Sequence, residues 1–184
     1  KCQCYIIALG VNDLLGQHME VGSIDDIVLG DCEQNKPTFA GYYAKIIQKY
    51  KKIQPDAKFF LMTMPKENEE CNGNGIKLVF NDLIYKLAEL FENTFVLDLY
   101  TYAPVYDEDF KEKFYLYSHM NPMGYVLTAK MVASYMDYIV RSHPTEFSQV
   151  GFIGTEYYDK NDKLRAIEIY VNYRTKTMHL EYIS

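Results

Sequence analysis

Three short apolar runs set the limits on how this chain can fold. CYIIAL at 4–9 is continuous rather than alternating, the mark of a strand buried on both faces; AKFFLMTM at 57–64 reads as the next buried strand and TFVLDLY at 94–100 as a third strand. Helical periodicity separates each run from the next. Phe39, Tyr43, Ile46, Ile47 and Tyr50 share one face of a helix that Pro37 opens and that stops before Pro55. Ile76, Val79, Phe80, Leu83, Ile84, Leu87, Leu90 and Phe91 form the cleanest amphipathic stripe. Pro122 opens a third long helix, with Tyr125, Thr128, Ala129, Val132, Tyr135, Met136 and Ile139 on its inner face and Pro144 at its end. Residues 1–143 therefore read β-α-β-α-β-α, the order of a parallel sheet with helices on its faces.

The tail changes style. LRAIEIYVNY and TMHLEYIS alternate apolar and polar residues, separated by the polar RTKT turn. With QVGFIGTEYY and the DKND turn ahead of them, they predict a three-stranded antiparallel meander. The expected organisation is an α/β core over 1–148 and a small β extension over 149–184.

Composition narrows the function classes. The chain has 184 residues, 48% of them hydrophobic, enough for one packed domain. A formal net charge of −6 and scattered Lys and Arg argue against nucleic acid as a partner. The short KYKK at 49–52 reads as the solvated side of the first helix. No apolar run approaches the roughly 20 residues that a membrane span needs. Eighteen Tyr and no Trp leave GYYAK and TEYYD as surfaces that either stack on a sugar or simply pack. Cys2 and Cys4 point to one face of a strand and do not bridge each other easily. No second close pair completes a zinc site, and a Cys32–Cys71 bridge stays open. Neither a metal nor an organic cofactor is implied. The chain starts with Lys and enters a strand almost at once, which reads as an internal starting point, so the compartment stays unknown.

Two stretches could carry chemistry. ALGVND places Asn12 and Asp13 past the carboxyl end of a buried strand, the edge where open α/β sheets bind ligands. An amide there can donate to a developing oxyanion, a contribution on the order of 3–4 kcal/mol in a dry site. Asn and Asp are equally ordinary turn residues. LYSHMNPMGY puts His119 between the third strand and the third helix, where an imidazole can serve as general base or merely bond locally at a helix start.

Gly10, Asn12 and Asp13 as G-x-N-D, followed by His119 to Tyr125 as H-x-N-P-x-G-Y, resemble the SGNH (GDSL-type) hydrolase family over residues 4–143. The resemblance implies a flavodoxin-like α/β/α sandwich that hydrolyses esters, often acyl groups on carbohydrates or lipids. It also implies that Asn12 donates to the oxyanion, supported by the turn at Gly10 and Asp13, and that His119 activates a serine.

The chain departs from that family in three places. The G-D-S nucleophile segment and the glycine of the oxyanion hole, expected ahead of Gly10, are not in this sequence. Leu116 stands where the family has an aspartate, leaving a backbone carbonyl or an acid of the run Asp107, Glu108, Asp109 to orient His119. The 149–184 meander lies outside the family core. Ser118 adjoins His119 and Ser23 follows the Asn12 block, so neither suggests triad geometry. The expectation is an ester hydrolase represented by a piece that is nearly inactive alone, its serine on a separate N-terminal segment. In a sheet ordered 2-1-3-4-5, strand 4–9 then becomes an exposed edge, open to a second copy, to the meander or to that segment. The contrasting reading is a binding or assembly module that keeps the fold without the chemistry. A nucleotide binder is weaker, because no Gly-rich phosphate loop follows a strand.

Overall fold

The computed structural model describes residues 2–67 and 73–147. The chain divides into two compact units, Lys1–Ala133 and Ser134–Ser184. The described elements are β1 (Cys4–Ile7), α1 (Phe39–Ile53), β2 (Lys58–Met62), α2 (Gly73–Leu90), β3 (Thr94–Leu97), α3 (Leu99–Tyr102), α4 (Glu108–Phe114), β4 (Tyr115–Leu116), β5 (His119–Met120), α5 (Pro122–Ser142) and α6 (Pro144–Phe147). The boundary between units falls within α5.

In the first unit β1, β2 and β3 form a parallel sheet in that order, with Cys4 opposite Lys58 and Phe60 opposite Phe95. Strands that advance in one direction through right-handed crossovers put both connecting helices on the same face. The core follows that rule. Ile7, Phe59 and Leu61 from the sheet pack with Tyr43 and Ile47 of α1 and with Phe80, Ile84 and Leu87 of α2. Burying a side chain such as Phe59 or Leu61 completely contributes about 1.5–3 kcal/mol each. On the opposite face Phe60 stacks against Phe95 at 5.6 Å.

The β-α-β-α-β-α reading holds at the level of the long elements, and the fold is mixed α/β with a small antiparallel pair, β4–β5. Several details differ. β1 is not buried on both faces: Ile6 is 46% exposed, because among the described residues β1 pairs with β2 alone. Pro37 lies ahead of the first helix, whose N-cap is Thr38, accepting from the Gly41 amide at 3.2 Å. Val79, Tyr50 and Tyr125 belong to the helical stripes by spacing yet are exposed. The acidic run at 107–109 begins α4, with Asp107 as its cap. The 94–100 run ends as a strand at Leu97, where the Asp98 carboxylate turns round to accept from Thr101 N and caps α3. The predicted meander at 149–184 lies outside the described residues.

In the second unit, α5 ends with Arg141 Nε on Asp137 Oδ1 at 2.7 Å, and His143 Nδ1 lies 2.9 Å from the Ile139 carbonyl. Among the described residues no helix is long and apolar enough to cross a membrane.

Candidate functional site

Asn12 sits in a single π-helical turn, Val11–Gly16, that leaves the carboxyl end of β1. Such turns are uncommon, and here its origin can be traced. Gly10 has φ +121 and is buried; a Cβ there would lie 3.0 Å from Phe39 Cζ and from Phe80 Cε2. Only glycine lets the backbone pass so close to α1 and α2. Leu14, 3% exposed, pins the turn into the core, and the Asn12 carbonyl accepts from Gln17 N at 2.9 Å. The Asn12 side chain is left at the surface and the Asp13 side chain is half-buried, neither with a hydrogen bond among the described residues.

The second motif is a helix start with a physical role for each letter. Asn121 Oδ1 accepts from Gly124 N at 2.9 Å, capping α5, while its Nδ2 donates to the Lys113 carbonyl at 2.8 Å at the end of α4. Pro122 occupies the first helical position, where its missing N–H costs nothing. Gly124 is buried where a Cβ would meet the Phe114 carbonyl at 2.4 Å. Asn121, Pro122 and Gly124 together lock α4 to α5 and so fix the β4–β5 hairpin that carries His119. Its turn passes through Tyr117, at φ +58 and 94% exposed.

The His119 ring is exposed and makes no hydrogen bond among the described residues. Leu116 faces it across the hairpin. Two of the three acids considered as orienting groups are engaged elsewhere: Asp107 accepts from Phe110 N at 2.9 Å and Glu108 pairs with Lys111 at 3.3 Å. Ser23 caps a short 3-10 turn, accepting from Asp25 N at 3.2 Å, and Ser118 is exposed in the hairpin turn.

A cavity of about 270 Å³ opens at the carboxyl ends of the three strands. Val11, next to Asn12, and Met120, next to His119, both line it, together with Leu9, Met62, Met64 and Leu99. Its polar lining was not singled out by the sequence. Lys77, 5% exposed, pairs with Glu67 at 3.2 Å and donates to the Pro65 carbonyl at 3.1 Å. Tyr106, 4% exposed, lies stacked on Phe110 at 4.1 Å, with its hydroxyl buried beside the Thr128 hydroxyl. Burial raises the Tyr106 phenol above its ordinary value, and the Thr128 hydroxyl offsets part of that rise. Thr128 Oγ1 itself donates to Met120 Sδ at 3.2 Å. Lys77 did leave a signal: it shares a helical face with Asn81 and Ile84, so a charge stood on the buried stripe.

Beneath the cavity Asp98 holds the strand ends together. Its carboxylate accepts from Thr63 Oγ1 at 3.0 Å, Tyr85 Oη at 2.8 Å and Thr101 N at 3.1 Å. Burial works to raise its pKa, and those hydrogen bonds outweigh it and hold the group below its ordinary value. With its lone pairs so occupied, Asp98 acts as scaffold. A wider groove of about 800 Å³ runs between the 29–33 segment and the end of α1, lined by Leu29, Cys32, Lys49 and Lys52. It lies away from the strand ends and contains none of the motif residues, so the smaller cavity is the better candidate.

Among the other sequence candidates, Tyr43 is core, donating to the Ile7 carbonyl at 3.3 Å, whereas Tyr42 is exposed. The TEYYD pair lies outside the described residues. Cys2, Cys4 and Cys32 are free thiols, and Cys71 lies outside the described residues. The described residues contain no cluster of three or more His, Cys, Asp or Glu able to hold a metal.

The chain matches no protein-family model, no curated protein and no solved structure.

Proposed function

We propose that this chain carries part of an ester hydrolase of the SGNH type, built on a flavodoxin-like sandwich. Asn12 would donate to the oxyanion and His119 would act as the general base toward a serine hydroxyl. The observation that carries the reading is the shared cavity, lined by Val11 and Met120, the immediate neighbours of the two residues. It lies where parallel sheets bind ligands. The parallel order of β1, β2 and β3 supports the sandwich.

Neither Ser23 nor Ser118 fits the nucleophile's role. The first is committed to a cap, and the second is the chain neighbour of the base. The chain by itself is therefore expected to turn over esters negligibly. The test is hydrolysis of short-acyl nitrophenyl esters by the full-length gene product, with His119→Ala and Asn12→Ala alongside. Loss of turnover in both variants supports the base and the oxyanion donor. Brisk turnover by residues 1–184 that Ser23→Ala or Ser118→Ala eliminates would refute both roles.

One observation favours a second reading, a binding module without chemistry. The His119 ring has Leu116 across from it and no hydrogen bond among the described residues to fix its tautomer. A full-length product that binds esters and never cleaves them would establish that reading instead.

A further inference from the structure

The cavity at the strand ends has one charged pair in an otherwise uncharged lining. Glu67 and Lys77 pair at 3.2 Å, and no other charged side chain lines the cavity among the described residues. The two differ in access to water: the Lys77 side chain is 6% exposed and that of Glu67 is 33% exposed. Lys77 is the costlier of them, because its charge stands on the same buried face of α2 as Asn81 and Ile84. Packing does not account for such a pair, since apolar residues of similar size often hold a fold together as well as a buried ion pair does. A charge kept there against that alternative points to something the cavity receives.

The pair has bonding capacity to spare. An ammonium carries three N–H donors. The Pro65 carbonyl, at 3.1 Å, and the Glu67 carboxylate take no more than two of those on Lys77. A carboxylate accepts about four hydrogen bonds, so Glu67, reachable at the cavity wall, can accept from a ligand without leaving Lys77. The pair thus presents a donor and an acceptor side by side while each cancels the other's charge. An anion in the cavity would meet Glu67 and a cation would meet Lys77, and either would have to break the pair. A neutral group with an acceptor and a donor on neighbouring atoms fits without breaking it, and a carboxamide is such a group. Met62, Met64, Leu99 and Met120 supply flexible apolar contacts for the chain that carries it. About 270 Å³ admits a ligand of about nine non-hydrogen atoms at the ~30 Å³ that one water occupies.

We infer that the cavity binds a short apolar chain bearing a carboxamide, whose carbonyl accepts from Lys77 and whose N–H donates to Glu67. That this chain is part of an ester substrate rests on the ester-hydrolase reading; the preference for a neutral amide rests on the pair and the cavity alone. Glu67 and Lys77 are specificity residues and take no part in bond breaking.

Binding can be measured without turnover. The chain labelled at its methionine methyls is titrated with butanamide, with 2-pentanone, which lacks the N–H donor, and with butanoate, which carries a charge. The methyls of Met62, Met64 and Met120 should shift with butanamide, which should bind roughly two- to tenfold tighter than 2-pentanone and at least about tenfold tighter than butanoate. Glu67→Gln keeps an acceptor beside Lys77 and removes the negative charge, so butanoate should then bind at least as tightly as butanamide. Lys77→Met keeps the length of the side chain without its donors and should weaken butanamide roughly two- to tenfold, with the melting temperature unchanged or raised. Equal binding of butanamide and 2-pentanone to the wild-type chain would overturn the inference, as would methionine methyls that do not respond. Continued exclusion of butanoate by Glu67→Gln would overturn it too, and so would an amide affinity untouched by Lys77→Met. Failure of the esterase assay with the amide preference intact would sink the hydrolase and leave the pocket.

Discussion

Under α1 and α2, Phe59, Leu61, Phe80 and Ile84 are completely excluded from water, and the Tyr43 hydroxyl among them is paired with the Ile7 carbonyl. A few residues further along, at the rim, the Asn12 and His119 side chains are exposed and make no hydrogen bond among the described residues. The loop that leads into α1 shows what full satisfaction looks like. Asp26, 7% exposed, accepts from Ser23 N at 2.9 Å, Lys36 Nζ at 2.8 Å and Thr38 Oγ1 at 3.0 Å. The covered side meets its polar groups with protein partners, and the rim leaves the Asn12 and His119 side chains to water.

The sharpest way to break that comparison is to damage the covered side. Phe80→Ala removes a fully buried ring that touches Phe39 edge-on at 5.7 Å, and should cost about 3–5 kcal/mol in a denaturant melt. A loss below about 1 kcal/mol would mean the α2 side is far looser than its burial indicates. Gly10→Ala comes next, because it joins the two regions. Its strained φ and the clash with Phe39 and Phe80 should cost about 2–4 kcal/mol. It should also displace Val11 and Asn12, which shifts in their backbone amide resonances would report.

Acid should act on the satisfied carboxylates rather than on the rim. Hydrogen bonds from Lys36 and the Ser23 backbone hold Asp26 below its ordinary 3.8, and Asp98 is likewise held below 3.8. Lys45 and Lys49 bring the exposed Glu33 from 4.5 to about 2. Groups whose folded pKa is depressed contribute fully above their unfolded values and lose that contribution as pH falls through the folded ones. Melting temperature should therefore hold steady above about pH 5 and decline from about pH 4 toward pH 2. Asp26→Asn should lower the plateau and shallow the decline; an unchanged acid slope would show that the Asp26 knot is not formed. The smallest expected change is at the rim. His119→Ala and Asn12→Ala should alter stability by no more than about 0.5 kcal/mol in the same denaturant melt. A stability loss as large as that of Phe80→Ala would make His119 a structural residue.

The parts of this molecule legible in the sequence are those where one periodicity runs long enough to dominate. α2 and α5 show themselves through stripes, and β2 through an unbroken apolar run. Shorter elements escape. α4 reads as a loop in the sequence because Asp107, Glu108 and Asp109 look solvated, although Asp107 at the cap, acids in the first turn and Lys111 and Lys113 in the last are the signature of a helix. The β4–β5 hairpin turns at Tyr117, which offers no Gly or Asn to announce it. Tyr106 and Thr128 give no warning at all, because a tyrosine between loop residues and a threonine on a helix are ordinary until they share a wall.

Sequence alone determined the order of the long strands and helices and singled out Asn12 and His119 as candidates, because backbone periodicity and local turn chemistry are written in near neighbours. Which face the helices cover, how Gly10 threads between Phe39 and Phe80, and which side chains share the wall at the strand ends were decided only by tertiary packing. Those outcomes depend on residues distant along the chain meeting in a space too small to hold water between them.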